Sequence, residues 1–113
     1  AYTMAKYGMS MCVLGHAREF RPMGIAVNAL WPQTAIYTAA MQMIPGVQPA
    51  HCRTPQIMAD AAAVLLARPV GPQENTGQFY IDEAVLRGQG VTDFEHYATV
   101  PGSQKIQRDF FLD

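Results

Sequence analysis

Cysteine is scarce in this chain, and that scarcity excludes several architectures. Cys12 and Cys52 are the two cysteines, too few for a disulfide framework. They form no C-x-x-C pair, and with His16, His51 and His96 they give no zinc-ligand spacing. His51 and Cys52 are adjacent, but sequence neighbours rarely chelate one ion well, and no second pair follows. No metal is therefore expected, and both thiols read as packing groups. Such usage suits a reducing compartment. Positive charge is also short: eight Lys+Arg against nine Asp+Glu give a net charge of −1. No basic excess is available to neutralise phosphates, so no nucleic-acid partner is expected. No apolar run approaches the ~20 residues a membrane helix needs. Charged residues make up only 15%, against 50% hydrophobic, which excludes a disordered chain. No basic segment leads into an apolar run at the start, and the last three residues are not a Ser-Lys-Leu address. A cytoplasmic or organellar-matrix location is the resulting expectation. With 113 residues there is room for one domain at most.

The residues present read as helix, strand, helix, strand and tail. Met9, Val13, Ala17 and Phe20 recur at helical spacing and predict a helix over 3–20, stopped by Pro22 and Gly24. Residues 24–31 are almost all apolar, as in a strand covered on both faces, and Pro32 ends it. A short helix is expected over 36–44, stopped by Pro45-Gly46, with a loop over 45–53. Thr54 is a candidate cap and Pro55 a candidate first residue for a helix to about Arg68. Its buried side should carry Ile57, Ala61, Val64 and Leu65. After a loop over 69–76, Gly77 to Asp82 reads as a second strand with Phe79 and Ile81 on one face. A strand–helix–strand order implies a parallel crossover with helices on both faces, an α/β fold. Two parallel strands do not make an independent sheet, and residues 24–31 carry no edge protection. Further strands are expected beside them. The chain also enters its first helix directly at Ala1-Tyr2, which reads as a start inside a domain.

One pair of residues carries chemistry. Tyr2 and Lys6 are four apart, so at a helix start they share a face. A phenol near pKa ~10 is a poor proton donor at neutral pH. An ammonium nearby favours the phenolate, so the pair could act as a general acid/base. The spacing by itself would occur by chance in roughly one chain in five of this length. An exposed helix start with a half-buried Tyr is the plain alternative.

The surrounding motifs add to that pair. Tyr2-Thr-Met-Ala-Lys6 is followed by a long helix, then Ala26-Val-Asn-Ala-Leu-Trp-Pro32, Thr34-Ala-Ile36 and Thr38-Ala-Ala-Met41, with Ile81-Asp-Glu83 and Asp109-Phe-Phe-Leu-Asp113 further on. In that order and spacing the sequence resembles the second half of the short-chain dehydrogenase/reductase family, and within it the hydroxysteroid dehydrogenase-like group. The resemblance implies the C-terminal part of a Rossmann-type doubly wound parallel sheet. Residues 1–113 would be the C-terminal half of one such domain, the dinucleotide-binding half lying outside them. It implies NADP or NAD as cofactor, and an alcohol or carbonyl substrate of fatty-acyl- or steroid-like body. Tyr2 would be the catalytic acid/base. Lys6 would tune it and bind the nicotinamide ribose. Pro32, Thr34, Ile36 and Thr38 would lie along the nicotinamide with Tyr2 and Lys6.

Some features depart from the family pattern. Gln33 stands where most members have glycine, and the position five past the proline is Tyr37. Thr34 and Thr38 thus remain alternative carboxamide contacts. Trp31 either packs at the sheet edge or lines a substrate pocket. No glycine-rich phosphate turn occurs, since Gly88-Gln-Gly90 lacks the third glycine. The 113 residues alone are therefore expected to be inert. Phe94, Tyr97, Phe110, Phe111 and Leu112 make the tail, 83–113, too apolar to dangle. It would close over the substrate side or pack on another subunit, the latter matching the homo-oligomers the resemblance implies. The rival reading is a non-catalytic α/β binding or oligomerisation module of the same fold. A lesser one is a lipid-handling protein that binds the cofactor only structurally.

Overall fold

A computed structural model describes residues 1–71 and 75–112. The elements are α1 (Tyr2–Phe20), β1 (Ala29–Trp31), α2 (Ala39–Gln42), α3 (Gln56–Leu66), β2 (Phe79–Ile81) and α4 (Asp82–Gly88). Single 3-10 turns occupy Arg21–Met23, Pro49–His51 and Glu95–Tyr97. The two strands pair in parallel, with Ala29 opposite Phe79, Leu30 opposite Tyr80 and Trp31 opposite Ile81. The other edge of β1 has no strand partner among the described residues. Part of the 69–76 loop, residues 72–74, lies outside the described residues.

Alternation along the strands divides the side chains between two layers. Leu30 and Tyr80 join the core formed by Ile57 and Ala61 of α3 with Val85 and Leu86 of α4. Trp31, Phe79 and Ile81 face the opposite side, towards Tyr7 of α1. The fold is therefore α/β, with helices on both faces of a parallel sheet.

The first strand is shorter than its apolar run. Upstream of Ala29 the Gly77 amide still donates to the Val27 carbonyl (2.8 Å), and side chains complete the pairing. The Val27 amide donates to the Thr76 hydroxyl (3.1 Å), and Asn28 bridges the Gln78 amide and the Asn75 carbonyl (both 2.9 Å). The expected 36–44 helix contracts to one turn in α2. Helix α3 begins one residue after Pro55, and the Thr54 side chain makes no capping hydrogen bond. Its Ile57 and Ala61 are buried as expected, and Val64 and Leu65 pack at the rim of the core.

The stretch after Asp82 departs furthest from expectation. It is not an extended tail from its outset but opens with α4. Asp82 and Glu83 sit in that helix's first turn and Arg87 in its last, the favourable arrangement for a helix dipole. Glu83 ties α4 to Arg53 (2.5 Å) and pairs with Arg87 one turn along the same helix (2.6 Å). Burial alone would raise the Glu83 carboxyl, but the two guanidinium partners hold it below its ordinary value. Phe94 and Tyr97 are buried in this chain's own core, so neither is available to another subunit.

Candidate active site

Helix α1 returns antiparallel to β1, which sets its first turns beside the strand's C-terminal end. A cleft of about 330 Å³ opens between them. Tyr2, Lys6, Ser10 and Val13 form its helical wall, and Asn28 to Pro32 form its floor. This is the rim where ligands of open parallel sheets bind. The Lys6 ammonium lies 5.4 Å from the centre of the Tyr2 ring, within cation–π range. The four-residue spacing thus does bring phenol and ammonium together.

Pro32 lines the same cleft, and so does Trp31, which also packs edge-on against Phe111 at 5.7 Å. Thr34, Ile36 and Thr38 lie outside it. Thr34 is buried, and its hydroxyl has no hydrogen-bond partner among the described residues. Ile36 packs against the α3–α4 core and bridges to Arg53. Thr38 is exposed just before α2. Cys52 is buried in apolar surroundings that push its thiol up, which makes it unreactive. Cys12 is exposed. Among the described residues no three His, Cys, Asp or Glu side chains are grouped to hold a metal, and no helix is long and apolar enough to cross a membrane.

One feature of the site escaped the sequence reading. Asp82, fully buried, accepts the Gln33 amide at 2.8 Å and the Glu83 amide at 2.6 Å. Burial raises its carboxyl above the ordinary range, against those two bonds. It pins the loop that follows β1. A carboxylate directly after an apolar strand was the available signal. The end of the chain takes one of the two placements expected of the apolar tail, on the cleft side. Asp109 and Phe111 close the cleft opposite Tyr2, and Phe111 stacks on the Tyr2 ring at 6.0 Å and 23°. Phe110 remains exposed.

No protein-family model matches the chain. Among solved structures, a protein named as a dehydrogenase from Xanthomonas campestris superposes with a TM-score of 0.90 at 50% identity, over 99% of this chain and 40% of its own. A short chain dehydrogenase from Mycobacterium thermoresistibile gives 0.83 at 46% identity, over 99% of this chain and 39% of its own. The chain has the short-chain dehydrogenase fold. Among curated proteins it is 56% identical over 114 residues to hydroxysteroid dehydrogenase-like protein 2 of Danio rerio, and 53% identical over 115 residues to the human protein of that name. Both matches take in the whole chain, which spans 26% of each relative's length. The resemblance to hydroxysteroid dehydrogenase-like protein 2 therefore runs the length of the 113 residues, and its relatives are named as dehydrogenases.

The cleft also suits one end of a nicotinamide cofactor. Apolar Trp31 and Pro32 offer a surface for a flat ring, and Lys6 on the helical wall offers an ammonium for a ribose hydroxyl. No glycine-rich turn for a pyrophosphate occurs in these residues.

Proposed function

We propose that residues 1–113 form the C-terminal half of a short-chain dehydrogenase/reductase domain that interconverts a secondary alcohol and a carbonyl with NAD or NADP. The observation that carries this reading is the pairing of Tyr2 and Lys6 on one wall of a cleft at the C-terminal rim of the parallel strands. The high identity to proteins named as dehydrogenases supports it.

When bound, the nicotinamide supplies hydride to the carbonyl carbon, or accepts it in the reverse direction. Tyr2 gives its phenolic proton to the carbonyl oxygen in reduction and takes the hydroxyl proton in oxidation. Lys6 places a positive charge beside the ring and is the donor for the ribose hydroxyls. Pro32 and Trp31 bound the ring's side of the cleft, with Thr34, Ile36 and Thr38 on the loop behind. The exposed apolar face of α1, with Met4, Met11 and Leu14, offers surface for a homo-oligomer.

Tyr2→Phe tests the assignment, assayed in the complete protein against a panel of carbonyl compounds with NADH and with NADPH. Loss of the proton donor should lower kcat by about 10²-fold or more, with the circular-dichroism spectrum unchanged. Unchanged turnover would overturn the assignment and favour the non-catalytic module. The isolated 113-residue polypeptide should show no turnover in the same assay.

A further inference from the structure

The parallel ladder stops where proline enters it. Trp31 lies opposite Ile81, and the residues that follow them are Pro32 and Asp82. Proline has no amide hydrogen to carry the ladder on. The Asp82 side chain takes over. Its Oδ1 accepts the Gln33 amide at 2.8 Å, and the Glu83 amide at the start of α4 at 2.6 Å. Asp82 has no exposed surface. Its Oδ2 is buried too, and has no hydrogen-bond partner among the described residues. An unpaired buried oxygen costs stability. What the side chain contributes is therefore the placing of two amides.

That placing bears on the cleft. Pro32 lines it, between two fixed points: the Trp31 backbone in the ladder and the Gln33 amide on Asp82. The proline ring restricts φ between them. On its far side Gln33 is held through its carbonyl, which accepts the Asp109 amide at 3.1 Å. The loop beyond has anchors of its own. The Ala35 amide donates to the Gln107 carbonyl (2.9 Å), the Arg53 amide to the Ala35 carbonyl (2.9 Å) and the Tyr37 amide to the Arg53 carbonyl (2.8 Å). Asp82 thus governs the two residues next to the cleft and not the loop as a whole.

We infer that Asp82 is a positioning residue for the nicotinamide end of the cofactor: through the Gln33 amide it holds Pro32 at the floor of the cleft, where the ring would lie. The inference rests on the cofactor reading above and adds to it a residue that does not itself line the cleft. A group seated on a fixed surface loses affinity when that surface must be ordered on binding. The effect is confined to one end of the dinucleotide, because on that reading the adenosine end is held outside residues 1–113.

The test is calorimetric titration of the complete protein with NADH, NADPH and ADP-ribose, the last being the dinucleotide without its nicotinamide (2′-phosphorylated where NADPH binds the tighter). Asp82→Asn keeps the size and one acceptor oxygen, but an uncharged acceptor makes weaker bonds. It should weaken the preferred reduced dinucleotide about tenfold and leave ADP-ribose within about twofold. Asp82→Ala has no acceptor and should lose more of the reduced dinucleotide than Asp82→Asn does, a graded rescue that a purely structural role does not give. Retained ADP-ribose binding shows that a variant is folded. An Asp82→Asn protein that loses both ligands together overturns the inference, since the carboxylate then holds the fold rather than the place of the ring. An intact protein that binds NADH or NADPH with an affinity Asp82→Asn does not change overturns the Asp82 assignment alone. An intact protein that binds neither overturns the cofactor reading, and this inference with it.

Discussion

The two faces of the sheet are built on different terms. On one face, α3 and α4 bury Ile57, Ala61, Val85 and Leu86, and the chain comes back to add Phe94 and Tyr97. On the other, α1 is the longest helix, yet it buries only Ala17 among the described residues. Met4, Met9, Met11 and Leu14 are each more than half exposed there. Buried apolar area is what stabilises a fold, so the α3–α4 face carries the stability. The α1 face instead holds the cleft, the Tyr2–Lys6 pair and the aromatic end of the chain. The proposed chemistry sits on the side whose side chains, within these 113 residues, are not spent on the core.

Truncations on the two faces sharpen that division. Ile57 has no exposed surface. Ile57→Ala leaves a cavity at the centre of the α3–α4 contact and should cost about 3 kcal/mol. Leu14→Ala, at a position 56% exposed on α1, should stay within about 0.5 kcal/mol. Urea midpoints of the purified protein measure both. Equal losses would break the comparison, because they would mean that α1 is buried as deeply as α3 in solution.

A polar bond at the edge of the core makes the second prediction. The buried Tyr97 hydroxyl donates to the Asp60 carboxylate at 2.6 Å. Burial, then the bond to Asp60 and its charge, push the Tyr97 hydroxyl up to about 12. A phenol that holds its proton more tightly folded than unfolded, where its pKa is about 10, contributes fully below that unfolded value. The contribution is lost as pH rises through about 12. Asp60 behaves oppositely. Hydrogen bonds from Tyr97 and Gln56 hold its carboxyl below the ordinary value, so its contribution is lost only as acid protonates it. Tyr97→Phe should therefore cost about 1.5 kcal/mol near neutral pH and flatten the alkaline limb of the stability profile. An unchanged alkaline limb would show that the hydroxyl is not the titrating group.

The legible parts of the sequence were those with a strong period or a strong breaker. The 19-residue first helix, the α3 face at Ile57 and Ala61, the parallel strand order and the Tyr2–Lys6 pairing all follow from spacing. Alternation also separated Phe79 and Ile81 from Tyr80. What was hidden depends on contacts between distant residues. Helix α4 is short, and its stability comes from packing on α3 and from the Arg53–Glu83 bridge, thirty positions apart in the chain. Asp82 reads only as the end of the second strand until Gln33 is brought to it. Phe111 reads as part of a tail too apolar to dangle, but which of its two expected placements it takes is settled only where the loop after β1 binds the backbone before it. The loop residues Thr34, Ile36 and Thr38 were named by family resemblance, which gives no view of side-chain directions.

The smallest effect tests a local rule. Thr54 before Pro55 has the composition of a helix cap, and a capping threonine is worth about 1 kcal/mol. In the fold its side chain makes no such bond. Its backbone is engaged instead: the Thr54 amide donates to the Tyr97 carbonyl at 2.7 Å, and its own carbonyl accepts the Ile57 amide at 3.4 Å. The segment is held by main chain running to the Tyr97 turn, so the hydroxyl is dispensable. Thr54→Ala should consequently shift stability by no more than about 0.5 kcal/mol, read from the same urea midpoints. A loss near the full capping value would mean that the hydroxyl turns back to the first turn of α3, and that local sequence rather than the returning chain sets where that helix begins.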